Sequence, residues 1–340
     1  MKILPVLLII FSSLPLSCKP ETDENQLRYA RKQYYLGNDY FSRYIEALRK
    51  IDKLRIENEK LGKSLSKLSL SGDQTVNIQS IRTSRAIIQK NNQTIEKEET
   101  LAKRYLDAAL IELLKAVTSD PKMFRAYFEI ALIYLKKATT EIDMGTRVQC
   151  YTGDEKKENR EKSRSLLQKA RKHFIHSAKE KDLKSQSYNN VSAIDLYLEE
   201  WETALGYAKL AISDLVYQDS HVAQSNIGWA LFHMKKYSGA ISHFRQSLLA
   251  QRHFCIARYR LARTYFAMGK TSEAETEFDR TIKQGYPCNG IQEAWLYGAM
   301  SKLKNNKLDQ AKDYLKKCVS ISPSSCVAAE CKTLLKSTGD

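Results

Sequence analysis

The sequence contains few of the residues that interrupt helices. Glycine occurs 13 times and proline 6 times in 340 residues, whereas a β-sandwich or barrel needs such residues at many tight turns. Long stretches are instead rich in Ala, Leu, Lys, Glu and Gln, which favour helices. The scarcity of turn residues excludes a mainly β fold and predicts an all-α protein.

The short motifs that mark common catalytic sites are also missing. The sequence has no P-loop and no G-x-S-x-G, H-E-x-x-H or C-x-x-C pattern. His173 and His176 lie three residues apart on a predicted helix, but no third ligand has a spacing that suits a metal ion. We therefore predict that the chain is not an enzyme and holds neither a metal nor a cofactor.

Acidic residues are too few to balance the basic ones. The chain has 55 Lys and Arg against 39 Asp and Glu, a net charge of +16, and the excess is greatest between residues 121 and 185. Such a charge suits nucleic acid, anionic lipid headgroups or polymers of a cell envelope.

No long uninterrupted apolar run is present either. The apolar residues from Ile3 to Leu16 are interrupted by Pro5 and Pro15 and are too few to span a bilayer core of about 30 Å. A basic start, a short apolar core and small residues before a processing point are typical of a secretory signal peptide.

The stretch LPLSCKPE places Cys18 where signal peptidase would cut. It resembles the lipobox of bacterial lipoproteins, in which the cysteine becomes the acylated first residue of the mature chain. The strict box has Leu three residues before the cysteine, whereas Pro15 stands there and Leu14 lies one residue further back. The resemblance implies a signal peptide at 1–17, lipidation at Cys18 and anchoring to the outer membrane of a bacterial envelope. The alternative is an ordinary signal peptide cut nearby, with Cys18 a free or paired thiol.

Six further cysteines follow Cys18, and an exported chain permits disulfides among them. Their pairing cannot be read from the sequence alone, but the cluster of Cys318, Cys326 and Cys331 is the place where we expect one. Free buried thiols are the alternative. The other three cysteines are Cys150, Cys255 and Cys288.

The C-terminal half of the sequence repeats itself with a period of 34 residues. NIGWALFHMKKYSGAISHF aligns with RLARTYFAMGKTSEAETEF, so that Ala240 corresponds to Ala274 and Phe244 to Phe278. A third copy begins three residues late in WLYGAMSKLKNNKLDQAKDYL, and a fourth lies upstream in YNNVSAIDLYLEEWETALGYAKLAI. Each copy predicts two amphipathic helices, in which small residues let the paired backbones approach.

These segments resemble the tetratricopeptide repeat, a helix-turn-helix unit of 34 residues. The resemblance implies four units over 185–325 in a right-handed superhelix. It also implies an interrupted unit at 119–184. We interpret the basic insertion of this unit, near 139–161, as a mobile loop, and a binding arm is the alternative. A capping helix is expected at 326–340.

The region 18–118 carries two heptad seams separated by the turn SLSGDQTVN. They predict an antiparallel coiled-coil hairpin in which Leu65 meets Ile81. Asn58 and Asn92 are each expected to face an apolar residue and to favour one register.

A further turn is predicted at Gly37 in YYLGNDYF, before the hairpin begins. The same stretch is also compatible with a degenerate repeat unit, because Gly-x-x-Tyr is found between the helices of such units.

In repeat proteins of this kind, the first helix of each pair lines a concave wall that holds peptides or helices. Asn can bond both groups of a peptide backbone, and Arg can hold a carboxylate with two bonds. Arg260 and Arg263 are expected to face solvent. The groove positions that the resemblance implies are Asn189, Asn190, Tyr197, Asn226, Trp229, His233, Tyr259, Arg260, Arg263 and Tyr297.

The sequence thus predicts a membrane-anchored scaffold that binds a protein or peptide partner in the bacterial envelope, in the setting of envelope-complex assembly. One alternative is an accessory repeat domain of an envelope enzyme. Another is a basic binder of nucleic acid or anionic polymers. Export argues against nucleic acid, so no nucleic-acid partner is expected.

Overall fold

The computed structural model describes residues 24–70, 78–147 and 154–339. These ranges are built from helices, contain no strand and confirm the predicted all-α fold. Within them, no helix is long and apolar enough to cross a membrane. The predicted signal peptide, Cys18, Cys150 and the predicted turn between the heptad seams lie outside the described residues. The helices are α1 (Glu24–Leu70), α2 (Ile78–Ser119), α3 (Phe124–Arg147), α4 (Asp154–Ser177), α5 (Lys184–Tyr197), α6 (Trp201–Ile212), α7 (Ser220–His233), α8 (Tyr237–Ala250), α9 (Cys255–Ala267), α10 (Thr271–Lys283), α11 (Gln292–Lys304), α12 (Leu308–Ile321) and α13 (Cys326–Ser337).

Helices α1 and α2 form the predicted antiparallel hairpin. Seam residues such as Tyr44 and Leu106 are buried between them. The predicted surroundings of the asparagines are wrong, because Asn58 Nδ2 donates to Asn92 Oδ1 at 2.9 Å and Asn91 Nδ2 donates to Asn58 Oδ1 at 2.9 Å. An amide packed on apolar groups would lose its hydrogen bonds, whereas amides that meet satisfy one another.

The turn predicted at Gly37 does not form, since α1 continues through this residue. A Cβ atom at Gly37 would lie 2.7 Å from Cγ of Leu113. The glycine therefore allows α1 to approach α2 more closely than any larger residue would.

Helices α3 and α4 are longer than the sequence suggests. The loop expected near 139–161 is wrong where the structure describes it, because α3 continues to Arg147 and α4 begins at Asp154. At its other end α3 joins the hairpin, with Ala126 and Ile130 packed in the same core as Leu113.

From α5 to α12 the chain forms four helix pairs, each packed on the next. The small residues of the repeat pattern are fully buried, among them Ala240 and Ala274. A Cβ atom at Gly228 would lie 2.6 Å from the ring of Phe244. The helices of a pair thus approach closely at small residues and bury large aromatic rings between them, as the 34-residue repeat pattern predicts.

The last helix, α13, packs on α11 and α12. Its residues Cys331 and Leu334 lie in one core cluster with Leu315 of α12. A disulfide joins Cys318 of α12 to Cys331 of α13, within the cluster that the sequence singled out. A second disulfide joins Cys255, the first residue of α9, to Cys288, which precedes α11.

Candidate protein-binding groove

The first helices of the four pairs, α5, α7, α9 and α11, lie side by side and contact one another in sequence. We call the side chains that they present together the first-helix wall. The ten predicted groove residues all lie on these four helices, so one wall can carry them.

A ladder of polar side chains crosses the wall from helix to helix. Asn226 Nδ2 donates to Asn189 Oδ1 at 3.1 Å, and Arg260 Nη1 donates to Asn226 Oδ1 at 3.2 Å. Both asparagines are buried. Asn226 thus bonds Arg260 directly and is itself bonded to Asn189.

Among the residues that the structure describes, all hydrogen-bond acceptors of Arg260 are uncharged. Besides Asn226, its Nη1 atom bonds the carbonyl oxygen of Ser225 at 3.2 Å and Ser225 Oγ at 2.9 Å. The guanidinium also lies 5.3 Å from the ring centre of Trp229. Burial lowers the pKa of Arg260 to about 10. Arg260 was expected to face solvent, but stacking of the helices leaves its side chain half-buried.

Arg263 occupies the next turn of α9 and stacks on an aromatic ring. Its guanidinium carbon lies 3.6 Å from the ring centre of Tyr297, and Nη1 donates to the hydroxyl of Tyr259 at 3.0 Å. Burial raises the pKa of Tyr259 to about 12. Within the described residues, neither Arg263 nor Arg260 forms an ion pair with a carboxylate.

Aromatic side chains surround His233, the last residue of α7. The imidazole stacks on Trp201 with ring centres 3.9 Å apart and meets Trp229 edge-on at 4.8 Å. Burial, and then the charges of Arg263 and Arg260, lower the pKa of His233.

The two remaining predicted residues, Asn190 and Tyr197, lie on α5. The Tyr197 side chain is 60% exposed and lies near enough to Arg260 to interact with it electrostatically. Asn190 is half-buried. The structure thus places Tyr197 beside the ladder.

Four residues of this region were not predicted from the sequence. Ser225 precedes Asn226 directly, and Phe266 follows Arg263 by one helical turn, so helical spacing could have indicated both. Lys304 lies 4.6 Å from the ring centre of Phe266. Trp201 belongs to a second helix, and no spacing in the sequence reveals its contact with His233.

The histidine pair considered for a metal site has another role. His173 and His176 both pack on the ring of Tyr127, at 5.7 and 4.9 Å. Burial lowers the pKa of His173 to about 4. Across the described part of the chain, no group of three potential ligands could hold a metal ion.

The chemistry of the wall suits an anionic partner. Among the described residues, Arg260 and Arg263 of α9 form no ion pair with a carboxylate, and flat aromatic rings flank their guanidinium groups. A carboxylate beside such a cation forms strong, charge-assisted hydrogen bonds, and aromatic rings are common contacts in protein interfaces.

Two family models, both described as tetratricopeptide repeat, match residues 231–289 and 296–325. The solved structure of PilW, a widely conserved type IV pilus biogenesis factor, is similar to this chain with a TM-score of 0.53 and 20% sequence identity. The match covers 70% of this chain and 94% of PilW. The pilF structure from Pseudomonas aeruginosa matches with a TM-score of 0.51 and 17% identity, over 69% of this chain and 92% of pilF. A comparison with curated proteins finds no match.

Proposed function

The chain is a tetratricopeptide-repeat protein, and from this premise we propose that it is a scaffold whose first-helix wall binds a protein segment carrying carboxylate groups. Walls of stacked helical repeats commonly bind extended peptides or helices. We propose no catalytic activity for the chain.

The uncompensated charge of Arg260 is the observation that carries this proposal. Its side chain is half-buried and burial lowers its pKa, yet its hydrogen-bond acceptors among the described residues are neutral. A charge without an opposite partner costs free energy in such a place. A carboxylate from a partner would supply the missing negative charge, and Arg263 on the next turn could share it.

We propose that the scaffold is anchored in a bacterial envelope through lipidated Cys18. The support is the apolar N-terminal stretch and the lipobox-like sequence around this residue. The similarity to PilW, a type IV pilus biogenesis factor, favours a role in assembling an envelope complex. The outer membrane is the location that we propose for the anchor.

Removal of the Cys18 sulfur tests the anchor, because acylation requires it. In cells that express the full chain with Cys18→Ala, we expect a soluble or unprocessed product, whereas the unchanged chain should fractionate with membranes. A cleaved Cys18→Ala product that still partitions into detergent would contradict lipidation.

Photo-crosslinking in intact cells tests the groove. A photoreactive amino acid at Tyr197, which is exposed beside Arg260, should capture a partner protein. The matched control is Leu249 at the end of α8, which is 87% exposed and lies on a second helix. We expect one protein captured from Tyr197, absent from Leu249, and reduced when Arg263→Gln is added. Equal capture from both positions would contradict the groove.

A further inference from the structure

A strip of aromatic and apolar side chains lies exposed on the hairpin, near the point where the described chain begins. Tyr29, Tyr35 and Leu36 on α1 are 46%, 69% and 37% exposed, and Ile111 on α2 is 53% exposed. Tyr29 and Leu36 are seven residues apart and share a helix face. Tyr29 interacts electrostatically with Lys115, one turn beyond Ile111, so the α2 residues adjoin those of α1.

Basic residues complete this strip. Arg31 and Lys32 lie between Tyr29 and Tyr35 in the sequence, and both side chains are exposed. The nearest acidic residues on α1, Glu24 and Asp39, pair with other arginines. We call the group the basic-aromatic strip, and its members are Tyr29, Arg31, Lys32, Tyr35, Leu36 and Ile111.

The position of the strip limits what can lie against it. Five residues separate Cys18 from Glu24, and a fully extended chain of this length reaches about 20 Å. If Cys18 carries the proposed lipid, the first turns of α1 therefore lie close to the membrane surface.

We propose that the basic-aromatic strip binds the headgroup region of an anionic membrane and thereby orients the hairpin on it. Tyrosine rings favour the boundary between lipid and water, and basic residues near a membrane are attracted to anionic lipids. The placement rests on the proposed Cys18 anchor, but the surface can be tested without it.

Vesicle binding by the unlipidated mature chain, from residue 18 with Cys18→Ser, tests the strip alone. We expect it to sediment with phosphatidylcholine vesicles that contain phosphatidylglycerol, and less well as salt rises. Reversing both charges, Arg31→Glu with Lys32→Glu, should weaken this binding by about tenfold or more. Tyr35→Ser should also weaken it, because the ring leaves the interface.

The matched control is Lys53→Glu with Lys60→Glu, two exposed residues farther along α1. It changes the net charge equally, and we expect binding within about twofold of the parent chain. Equal losses in both double variants would show attraction by net charge only and would overturn the proposal, as would the absence of binding to anionic vesicles. Membrane loss in cells after Cys18→Ala tests the lipid anchor separately.

Discussion

Charged side chains in the interior of this protein have two kinds of surroundings. Lys302 is 2% exposed and lies 2.9 Å from Glu275 and 3.2 Å from Asp279. Arg171 makes two hydrogen bonds to buried Asp195, at 2.6 and 3.1 Å. These cations are neutralised within the fold, whereas Arg260 is held by neutral groups. This contrast is the reason why we propose that a partner supplies the counter-charge of Arg260.

The carboxylate of Glu275 gives a test at the same scale. Burial acts to raise its pKa, but hydrogen bonds from Lys307, Asn305 and Lys302 lower it to about 2. Because the folded pKa lies below the ordinary value of 4.5, the stabilisation is complete above pH 4.5 and is lost as pH falls through 2. Glu275→Gln should lower the free energy of unfolding by about 2 kcal/mol or more at pH 7, and the difference should shrink towards pH 2.

Denaturant unfolding of the parent protein and of the Glu275→Gln variant, from pH 7 to pH 2, measures this difference in the free energy of unfolding. Glu273→Gln is the matched control, since Glu273 is exposed on the same helix and the net charge changes equally. If Glu275→Gln lowered the free energy of unfolding equally at every pH, the lowered pKa of Glu275 would be contradicted.

At the scale of helices, the repeat pairs could be predicted because small and large residues recur at a fixed period. The pattern correctly places Gly228 and Ala240 in the contacts between paired helices. The extensions of α3 and α4 could not be predicted, since the polar insertion has no apolar period to indicate a helix. The turn at Gly37 was wrongly predicted for a related reason. This glycine allows a close contact with Leu113, which is far away in the sequence.

Two glycines in helix interiors should respond oppositely to alanine. At Gly228 a Cβ atom would lie 2.6 Å from the Phe244 ring, whereas at Gly206 in α6 nothing lies within 4 Å. Gly228→Ala should therefore destabilise the protein by about 1 to 3 kcal/mol through overpacking. Gly206→Ala should stabilise it by about 0.5 to 1 kcal/mol through helix propensity. Thermal unfolding followed by circular dichroism measures both, and equal shifts would contradict the packing at Gly228.

At the scale of the whole molecule, alignment of the repeats predicted which residues share one wall, because equivalent positions stack. It did not predict their partners, since contacts between helices depend on how side chains turn after stacking. Asn189 and Asn226 were expected to bond a peptide backbone, yet they bond one another, and Asn226 also accepts a hydrogen bond from Arg260. Sequence spacing therefore located the wall, and only the structure shows which groups remain available on it.

The central claim is that Arg260 and Arg263 of the first-helix wall bind carboxylate groups of a partner protein. The most direct test is to measure the affinity of the protein for the partner captured at Tyr197. Calorimetry should show that Arg260→Gln with Arg263→Gln weakens binding by at least about tenfold, because charge-assisted bonds of roughly 1.5 to 3 kcal/mol each are lost. Arg252→Gln, an exposed residue outside the four wall helices, is the control and should bind normally. Circular dichroism should show equal helix content in all chains. Normal binding by the folded double-arginine variant would contradict the account.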